Sequence, residues 1–371
     1  MRILHVGKFY SPIEGGIESI NRFVVNSLSG NIQRVISFNN NKETTEDEID
    51  FVPIIRASSY GIFASQPFSL KYYSELKRNI RVFHPDIIHF HYPNPLGALY
   101  LLLLIKSDCK LVVHWHSDVV AQSFLHKFIK PLEQKLLKRA NVIIATSPNY
   151  RDKSDNLRRF KNKVTVIPCS IDEDKFKINE SDYLKIDEIK EKYNKPIVFF
   201  VGRHVEYKGL KYLLEAEKLV NSDCVFLIAG KGPLTESLKR EFSSSRIYWL
   251  GKLSDEDMKI YYNASSIIAF PSISRNEAFG VVLAESMYCG CVPITFTIPG
   301  SGVNWVSLNG ITGIEVPNKD TNAYANAIDL LLNNQELLHT FGIESKTRVK
   351  NLFTKNVVTT KVQPSAIAGR R

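Results

Sequence analysis

The segment RNEAFGVVLAESMYCG, residues 275–290, reads as a short helix apolar on nearly every face, yet Glu277 stands at its entrance and Glu285 sits among Val281, Val282, Leu283, Ala284, Met287 and Tyr288. A carboxylate in an apolar helix is costly unless a partner meets it, so the pair predicts a ligand with hydroxyls to offer. Upstream, VGRHVEYKGLKYLLEA places Arg203 at the end of one apolar run and Lys208, followed by Gly209, at the start of the next helical pattern. A guanidinium fork and an ammonium point charge together suit a diphosphate. The plainer reading is surface charge on a loop. It is weakened because the next apolar run ends in a second glycine-rich turn, IAGKGPL, which contains Gly230. A helix beginning near Phe279–Gly280 would aim the free N–H groups of its first turn, Val281 among them, at a phosphate. Eight helical residues cover about 12 Å, about the reach from a sugar across a diphosphate to a ribose. Glu277 would then accept hydrogen bonds from hexose hydroxyls and Glu285 from ribose hydroxyls.

The first half of the chain offers a different set. Gly15 and Gly16 follow the first apolar run and precede a helical pattern, where backbone N–H groups can approach an anion. Alone this is a weak signal, and the loop is too long and wrongly spaced for the GxGxxG turn of a nicotinamide enzyme. HFHYP at 89–93 and VVHWHSDVV at 112–120 set His89, His91, His114 and His116 at adjacent strand ends. A metal site there is weighed and set aside, because no three show helical ligand spacing and alternation along strands accounts for both pairs. DEIDF at 47–51 and DED at 172–174 and 255–257 look like metal-binding triplets, but Ser254 to Asp257 reads as a capping box. No carboxylate is clearly placed as a covalent nucleophile.

These groups need a scaffold that brings strand ends together. Short β-branched runs alternate with helical patterns throughout. Strands are predicted at 2–7, 33–38, 51–56, 86–91, 110–115, 141–146 and 164–168, with helices at 17–29, 69–82, 95–106, 122–139 and 148–159. The alternation restarts with strands at 196–202, 224–229, 246–250, 266–271 and 292–296 and helices at 208–220, 234–243, 255–263, 279–289 and from about 320. Repeated βαβ order predicts an α/β protein of two Rossmann-like, doubly wound parallel-sheet domains facing across a cleft, with ligands outside the carboxyl ends of the strands. The expected boundaries are 1–168 and 169–353, with 354–371 able to pack back on the first domain. The polar stretch 170–195 is expected to be the linker and the entry to the second domain.

Length and composition agree with this division. A chain of 371 residues suits two ordinary domains. Five scattered cysteines without CxxC spacing fit a reducing, cytoplasmic setting rather than a disulfide framework. MRILHVGKFY runs straight into a strand and a polar loop, which predicts no secretory signal. The longest apolar run, LGALYLLLLI at 96–105, is too short to span a bilayer and is expected to be a buried helix. The net charge of +10 is lopsided: residues 1–168 hold 23 Lys+Arg against 14 Asp+Glu, and residues 169–371 hold 25 against 24. Within the basic half, FLHKFIKPLEQKLLKRA (124–140) is a basic amphipathic helix, expected either to attach to an anionic membrane surface or to be an ordinary packed helix. No RNP, zinc-finger or Gly-Arg motif accompanies the charge, so nucleic acid is not the expected partner.

In their order along the chain, PIEGGIE, HWHSD, VIPCSID, GRHVEYKG, IAGKGPL, LGKLSDEDM, EAFGVVLAE and VNWVSLNGITGIEV resemble the family 4 glycosyltransferases, from Met1 to about Thr354. The resemblance implies the GT-B fold and retaining transfer of a hexose from a nucleotide-diphosphate sugar, GDP-mannose or a UDP-hexose, without a metal or other cofactor. The acceptor would be a glycan or a lipid-linked glycan in O-antigen or other polysaccharide assembly, reached at the inner face of the membrane. It implies that Arg203 and Lys208 hold the diphosphate, that Glu285 holds the ribose, and that Glu277 with the backbone of Phe279–Gly280 meets the donor sugar. His116 matches the histidine that contacts the donor sugar and the acceptor side, with His91 beside it on the acceptor side and Asp118 placed to orient His116 or an acceptor hydroxyl. Backbone groups near Lys252 and Leu253 would read the base. Transfer would be front-face, with the leaving diphosphate helping to deprotonate the acceptor and the cations stabilising its charge. Two alternatives stand beside this reading: a nucleotide-sugar epimerase of the same fold, against which EAFGVVLAE speaks, and a catalytically silent sugar-nucleotide-binding partner.

Overall fold

Apolar runs of four to seven residues, too short for buried helices and rich in Val, Ile and Phe, become parallel strands covered on both faces. The computed structural model describes residues 1–13, 15–63, 66–118 and 123–363, without the side chains of 62, 63 and 123–128. It divides into two units, Met1–Cys169 with Val358–Arg371, and Ser170–Val357.

In the first unit the strands are β1 (Arg2–Val6), β2 (Ile32–Phe38), β3 (Thr45–Ile49), β4 (Val52–Ala57), a separate two-residue pair β5 (Ile62–Phe63) and β6 (Gln66–Pro67), then β7 (Ile87–Tyr92), β8 (Lys110–Trp115), β9 (Val142–Ala145) and β10 (Val164–Val166). The sheet order is β10-β9-β8-β7-β1-β2-β4-β3. Its pairings are parallel except for the β3–β4 hairpin. The sequence reading missed β3, because its charged residues TEDEI do not alternate with apolar ones. Asp47 of this strand pairs with Arg56, and Asp50, in the turn that follows, bonds Arg22 at 2.9 Å. On one face of this sheet Ile3, Ile87, Val112, Val142 and Ile144 pack against Val24 of the helix Gly16–Ser27, its C-cap Leu28, and Val358 and Val362.

In the second unit β11 (Ile197–Val201), β12 (Val225–Ala229), β13 (Ile247–Gly251), β14 (Ile267–Phe270), β15 (Val292–Phe296) and β16 (Ile314–Val316) form one parallel sheet in the order β13-β12-β11-β14-β15-β16. Strand order reverses between β11 and β14, and in the first unit between β1 and β7. Such reversals open a crevice above the carboxyl ends of the strands.

Several expected elements differ. The stretch 170–195 is more than a linker: after a short 3-10 turn, the helix Glu180–Tyr193 starts at a reciprocal Asn179–Asp182 capping box. The predicted helix 148–159 ends at Lys153 and resumes as a 3-10 turn from Leu157. The Ser254–Asp257 capping box forms. LGALYLLLLI is helical, capped by Asn94, but not wholly buried: Ala98 and Leu101 are covered while Leu99 and Leu103 are exposed. In the helix Ser123–Arg139, Leu136 and Leu137 are fully buried and Lys130, Lys135 and Lys138 point to solvent. The apolar side chains Phe124, Leu125 and Phe128 lie outside the described residues.

Candidate active site

The second unit assembles its charged groups at the β11/β14 reversal. After β11 the chain makes a short turn, Glu206–Lys208, and Gly209 adopts a left-handed φ of 65°. A β-carbon there would sit 2.0 Å from the Pro271 carbonyl oxygen. Only glycine lets this turn lie so close to the loop after β14, to which it is tied by Ile273 N–H donating to the Tyr207 carbonyl at 2.9 Å. The approach brings the Lys208 ammonium onto the Glu277 carboxylate, with 14% and 12% of the two side chains exposed. Burial works to lower the Lys208 pKa, but the Glu277 charge and Tyr207 outweigh it and hold it above the ordinary lysine value.

Glu277 is fixed from several sides. Ser272 Oγ donates to its Oε2 at 3.3 Å, Ser301 Oγ donates to its carbonyl, and its own N–H donates to the Ser274 carbonyl at 3.0 Å. The two residues assigned from sequence to different parts of a ligand thus form one half-buried pair. Arg203, in contrast, is exposed and makes no ion pair among the described residues. An exposed guanidinium and a half-buried ammonium above one strand-order reversal are equipped to bind a doubly anionic group.

The helix near Glu277 runs Val281–Cys289, starting two residues later than expected, with Gly280 at its N-cap in the left-handed region and no side chain capping it. Glu277 is therefore in the loop and not on the helix. Its first-turn N–H groups are left for a ligand. The Phe279 side chain is buried against Trp305 and Phe353, so only its backbone can serve a ligand.

Glu285, one turn into the helix, is partly open to solvent, and the Tyr262 hydroxyl donates to its Oε2 at 3.4 Å. Burial pushes its pKa up to about 7 against the pull of Lys175, with Asp255 adding to the rise.

The turns after β11 and β12 interlock. Gly230 has a φ of 108°, and a β-carbon on it would lie 1.9 Å from the Gly202 carbonyl oxygen. His204 shares a 2.8 Å hydrogen bond with Thr235, and the Gly251 carbonyl accepts from Gly230 N–H at 2.6 Å. Between them opens a cavity of about 270 Å³ lined by Gly230, Gly232, Thr235, Lys239 and Trp249. Lys252 and Leu253 follow at the end of β13, Lys252 exposed and Leu253 half-buried.

In the first unit, His116 is 4% exposed and its Nε2 lies 2.9 Å from His91 Nδ1, so one ring donates to the other. Burial pushes the His116 pKa down to about 3. Of the two roles open to Asp118, the contacts favour the one toward His116: it is 6% exposed, and its Oδ1 accepts from Trp115 Nε1 at 3.0 Å, Ser154 Oγ at 3.0 Å and Asn156 Nδ2 at 3.4 Å. It ties down the turn that carries His116 rather than facing an acceptor. Asn156 also donates to the fully buried Glu133 at 3.2 Å, and the Tyr92 hydroxyl does so at 2.6 Å. Glu133 was legible as the lone acid in the basic segment 124–140, and sequence reasoning passed over it. Gly15 caps the helix and Gly16 is its first residue, but that turn already carries the Glu18 carboxylate, which lies 2.1 Å from where a Gly15 β-carbon would stand. An anion there would have to share the turn with it.

Two doubly wound sheets with a cationic crevice at the second reversal define a GT-B transferase of the kind that takes nucleotide-activated donors. The chain belongs to the family 4 glycosyltransferases. Residues 15–175 match the model of Glycosyltransferase Family 4, and residues 183–348 that of Glycosyl transferases group 1. It is 32% identical over 364 residues to the O-antigen chain mannosyltransferase C of Escherichia coli, covering 95% of both chains. It is 30% identical to the D-rhamnosyltransferase WbpZ of Pseudomonas aeruginosa, covering 95% of this chain and 92% of the other. The fold is shared with sucrose-phosphate synthase from Thermosynechococcus elongatus, with a TM-score of 0.80 at 20% identity over 97% of each chain. It is also shared with Anabaena Alr3699/HepE in complex with UDP, with a TM-score of 0.77 at 16% identity over 98% of each. No helix among the described residues is long and apolar enough to cross a membrane.

Proposed function

We propose that this glycosyltransferase moves a hexose of the mannose or rhamnose kind from a GDP- or UDP-linked donor to a glycan or lipid-linked acceptor in O-antigen or related polysaccharide assembly. Transfer proceeds with retention of configuration and without a metal at the transfer step. The observation that carries the proposal is Arg203, exposed and without an ion pair among the described residues, together with the half-buried Lys208–Glu277 pair at the β11/β14 reversal. Names of the relatives similar along nearly the whole chain supply the sugar class and the pathway. In this reading Arg203 and Lys208 take up charge on the leaving diphosphate, a role that elsewhere falls to a metal. Glu277 receives donor-sugar hydroxyls, Glu285 the ribose, and the cavity beside Trp249 the base. His116 is the first unit's contribution to the donor sugar.

The deciding experiment offers GDP-mannose, GDP-rhamnose and UDP-hexoses in a thermal-shift screen, then follows the product of the stabilising donor by NMR. A donor at 100 times its Kd stabilises by about 2.7 kcal/mol. A product with the donor's anomeric configuration, formed at the same rate with and without added Mg²⁺ or Mn²⁺, is expected. An inverted product, or a rate that needs the metal, overturns the mechanism, and a chain that binds a donor without ever transferring it is a silent partner.

Glu285 gives the site a pH dependence. Its carboxyl holds a proton more tightly in the folded chain, at about 7, than at its ordinary value of 4.5. The fold therefore loses this contribution to stability as pH rises from 4.5 through 7, whereas the ionised form that accepts ribose hydroxyls grows over the upper part of that range. The donor KM should fall several-fold between about pH 6 and pH 8. In Glu285→Gln the KM should be higher and nearly flat. A variant that keeps the wild-type slope removes Glu285 from the ribose.

Membrane contact at the cytoplasmic face belongs to the same proposal. Lys130, Lys135 and Lys138 are exposed, and the neighbouring helix Pro95–Leu104 exposes Leu99 and Leu103. Each lysine near an anionic surface contributes about 1 kcal/mol. Changing Lys127, Lys130, Lys135 and Lys138 to serine should weaken binding to phosphatidylglycerol vesicles at low salt at least about tenfold. Equal binding by wild type and variant would discard the contact.

A further inference from the structure

Five histidines line one face of three adjacent strands in the first unit. His5 on β1 is in register with His89 on β7, His91 lies two residues further along β7 in register with His114 on β8, and His116 follows β8. All are 4% exposed or less. Their rings are stacked or tilted together, with centroids 5.5 Å apart for His5–His89 and 4.8 Å for His89–His91. Proposed catalysis uses His116, and His91 only through it. His5 and His89 have no part in it.

Strand alternation explains why these residues share a face but not why the face is imidazole. Buried polar atoms are ordinarily hydrogen-bonded, yet among the described residues His5 Nδ1, both nitrogens of His89 and His91 Nε2 have no partner. One ring nitrogen from each of His5, His89 and His91 lies within 4.8 Å of the other two. A tetrahedral centre with bonds of about 2.0–2.1 Å needs ligand nitrogens roughly 3.4 Å apart, so ring rotation and small strand shifts would bring them together.

The surroundings also fix which nitrogens can bind. Gln33 donates its amide N–H groups to the Val25 and Leu28 carbonyls, both at 3.1 Å, so its Oε1 must face His5. Oε1 is an acceptor, and it lies 2.8 Å from His5 Nε2. The proton of His5 is therefore on Nε2 and the lone pair on Nδ1. A histidine whose second nitrogen donates to a carbonyl oxygen is the usual arrangement behind a metal ligand. His91 completes the pattern, because its Nδ1 is engaged with His116 and its Nε2 is free.

We infer that His5, His89 and His91 form a binding site for a late first-row divalent metal ion of the kind imidazole favours, with zinc as the probe. It is separate from the donor site of the second unit, and its occupation does not depend on which sugar is transferred. With the ion on His91 Nε2, the His91 proton stays on Nδ1 and is donated to His116 Nε2, which sets His116 in its Nδ1–H form. The ion thus acts on the proposed catalytic histidine through a positioning residue.

The test uses the full chain without a histidine tag, stripped with a chelator and titrated with zinc against a chromophoric competitor. One equivalent should bind with a Kd below about 1 µM, and His5→Gln and His89→Gln should each weaken it at least about 10-fold. Circular dichroism and thermal melting of the metal-free variants establish that they fold. Should either fail to fold, X-ray absorption of the zinc-loaded wild type decides: a shell of nitrogen ligands near 2.0 Å with imidazole outer-shell scattering supports the site. Absence of stoichiometric binding, unchanged affinity in folded variants, or a sulfur or imidazole-free shell overturns it.

Discussion

Lys208→Ala is expected to lower kcat/KM by at least about 10³-fold and also to destabilise the second unit by about 3–5 kcal/mol. The stability loss follows from what the substitution leaves behind. Glu277 keeps 12% of its side chain exposed, and its ionic partner is gone. An uncompensated buried charge costs far more than the pair contributed. The rate loss has a separate origin in the proposed role, since the ammonium would no longer meet charge developing on the leaving diphosphate. The two effects can be pulled apart. In Lys208→Met with Glu277→Gln both charges go together, and stability should return to within about 1.5 kcal/mol of wild type while kcat/KM stays low. If the double variant regains activity along with its melting temperature, the pair is structural and the diphosphate assignment fails.

Arg203→Ala should give the opposite signature. The side chain is exposed and unpaired among the described residues, so its loss leaves no orphaned partner, and surface substitutions of this kind stay within about 0.5 kcal/mol of wild type. Activity should still drop about 10²–10³-fold, the usual consequence of removing one preorganised group from a developing anion. Arg203→Lys should recover only part of it, because a point charge does not reproduce the guanidinium fork. The comparison requires kcat/KM and denaturant midpoints on one set of preparations. A normal rate in Arg203→Ala would remove this residue from the donor, and a large fall in midpoint would show that it supports the fold.

Much of this site was legible in the sequence because strand periodicity is local. Runs such as PIVFFVG and SIIAFP announce buried parallel strands, and the residues that follow them must rise at one sheet edge, so Arg203, Lys208 and Glu277 could be placed together before any coordinates. The distances between them could not. The pairing of Lys208 with Glu277 depends on Gly209 lying against Pro271, a contact between loops some 60 residues apart that no periodicity encodes. Between the two roles open to Asp118 the sequence could not choose, for the same reason. A polar residue after a strand looks available to a ligand, and its real partners, Ser154 and Asn156, come from a distant turn. The histidines show the limit most plainly. Four of them, His89, His91, His114 and His116, could be placed at adjacent strand ends from alternation alone, but His5 joins them only through the register of β1 with β7, which no local spacing encodes.

The first unit is discontinuous, and that has a consequence for how the chain is made. Val358 and Val362 are buried with Ile3, Val24 and Leu28, yet they leave the ribosome only after the whole second unit, Ser170–Val357. Until then the earliest-synthesised sheet carries an uncovered apolar strip. Closing it with two valines contributes about 3–6 kcal/mol, a large part of the stability typical of such a domain. The portion translated first is thus completed last, and during synthesis this strip is where a chaperone or a second nascent chain would bind.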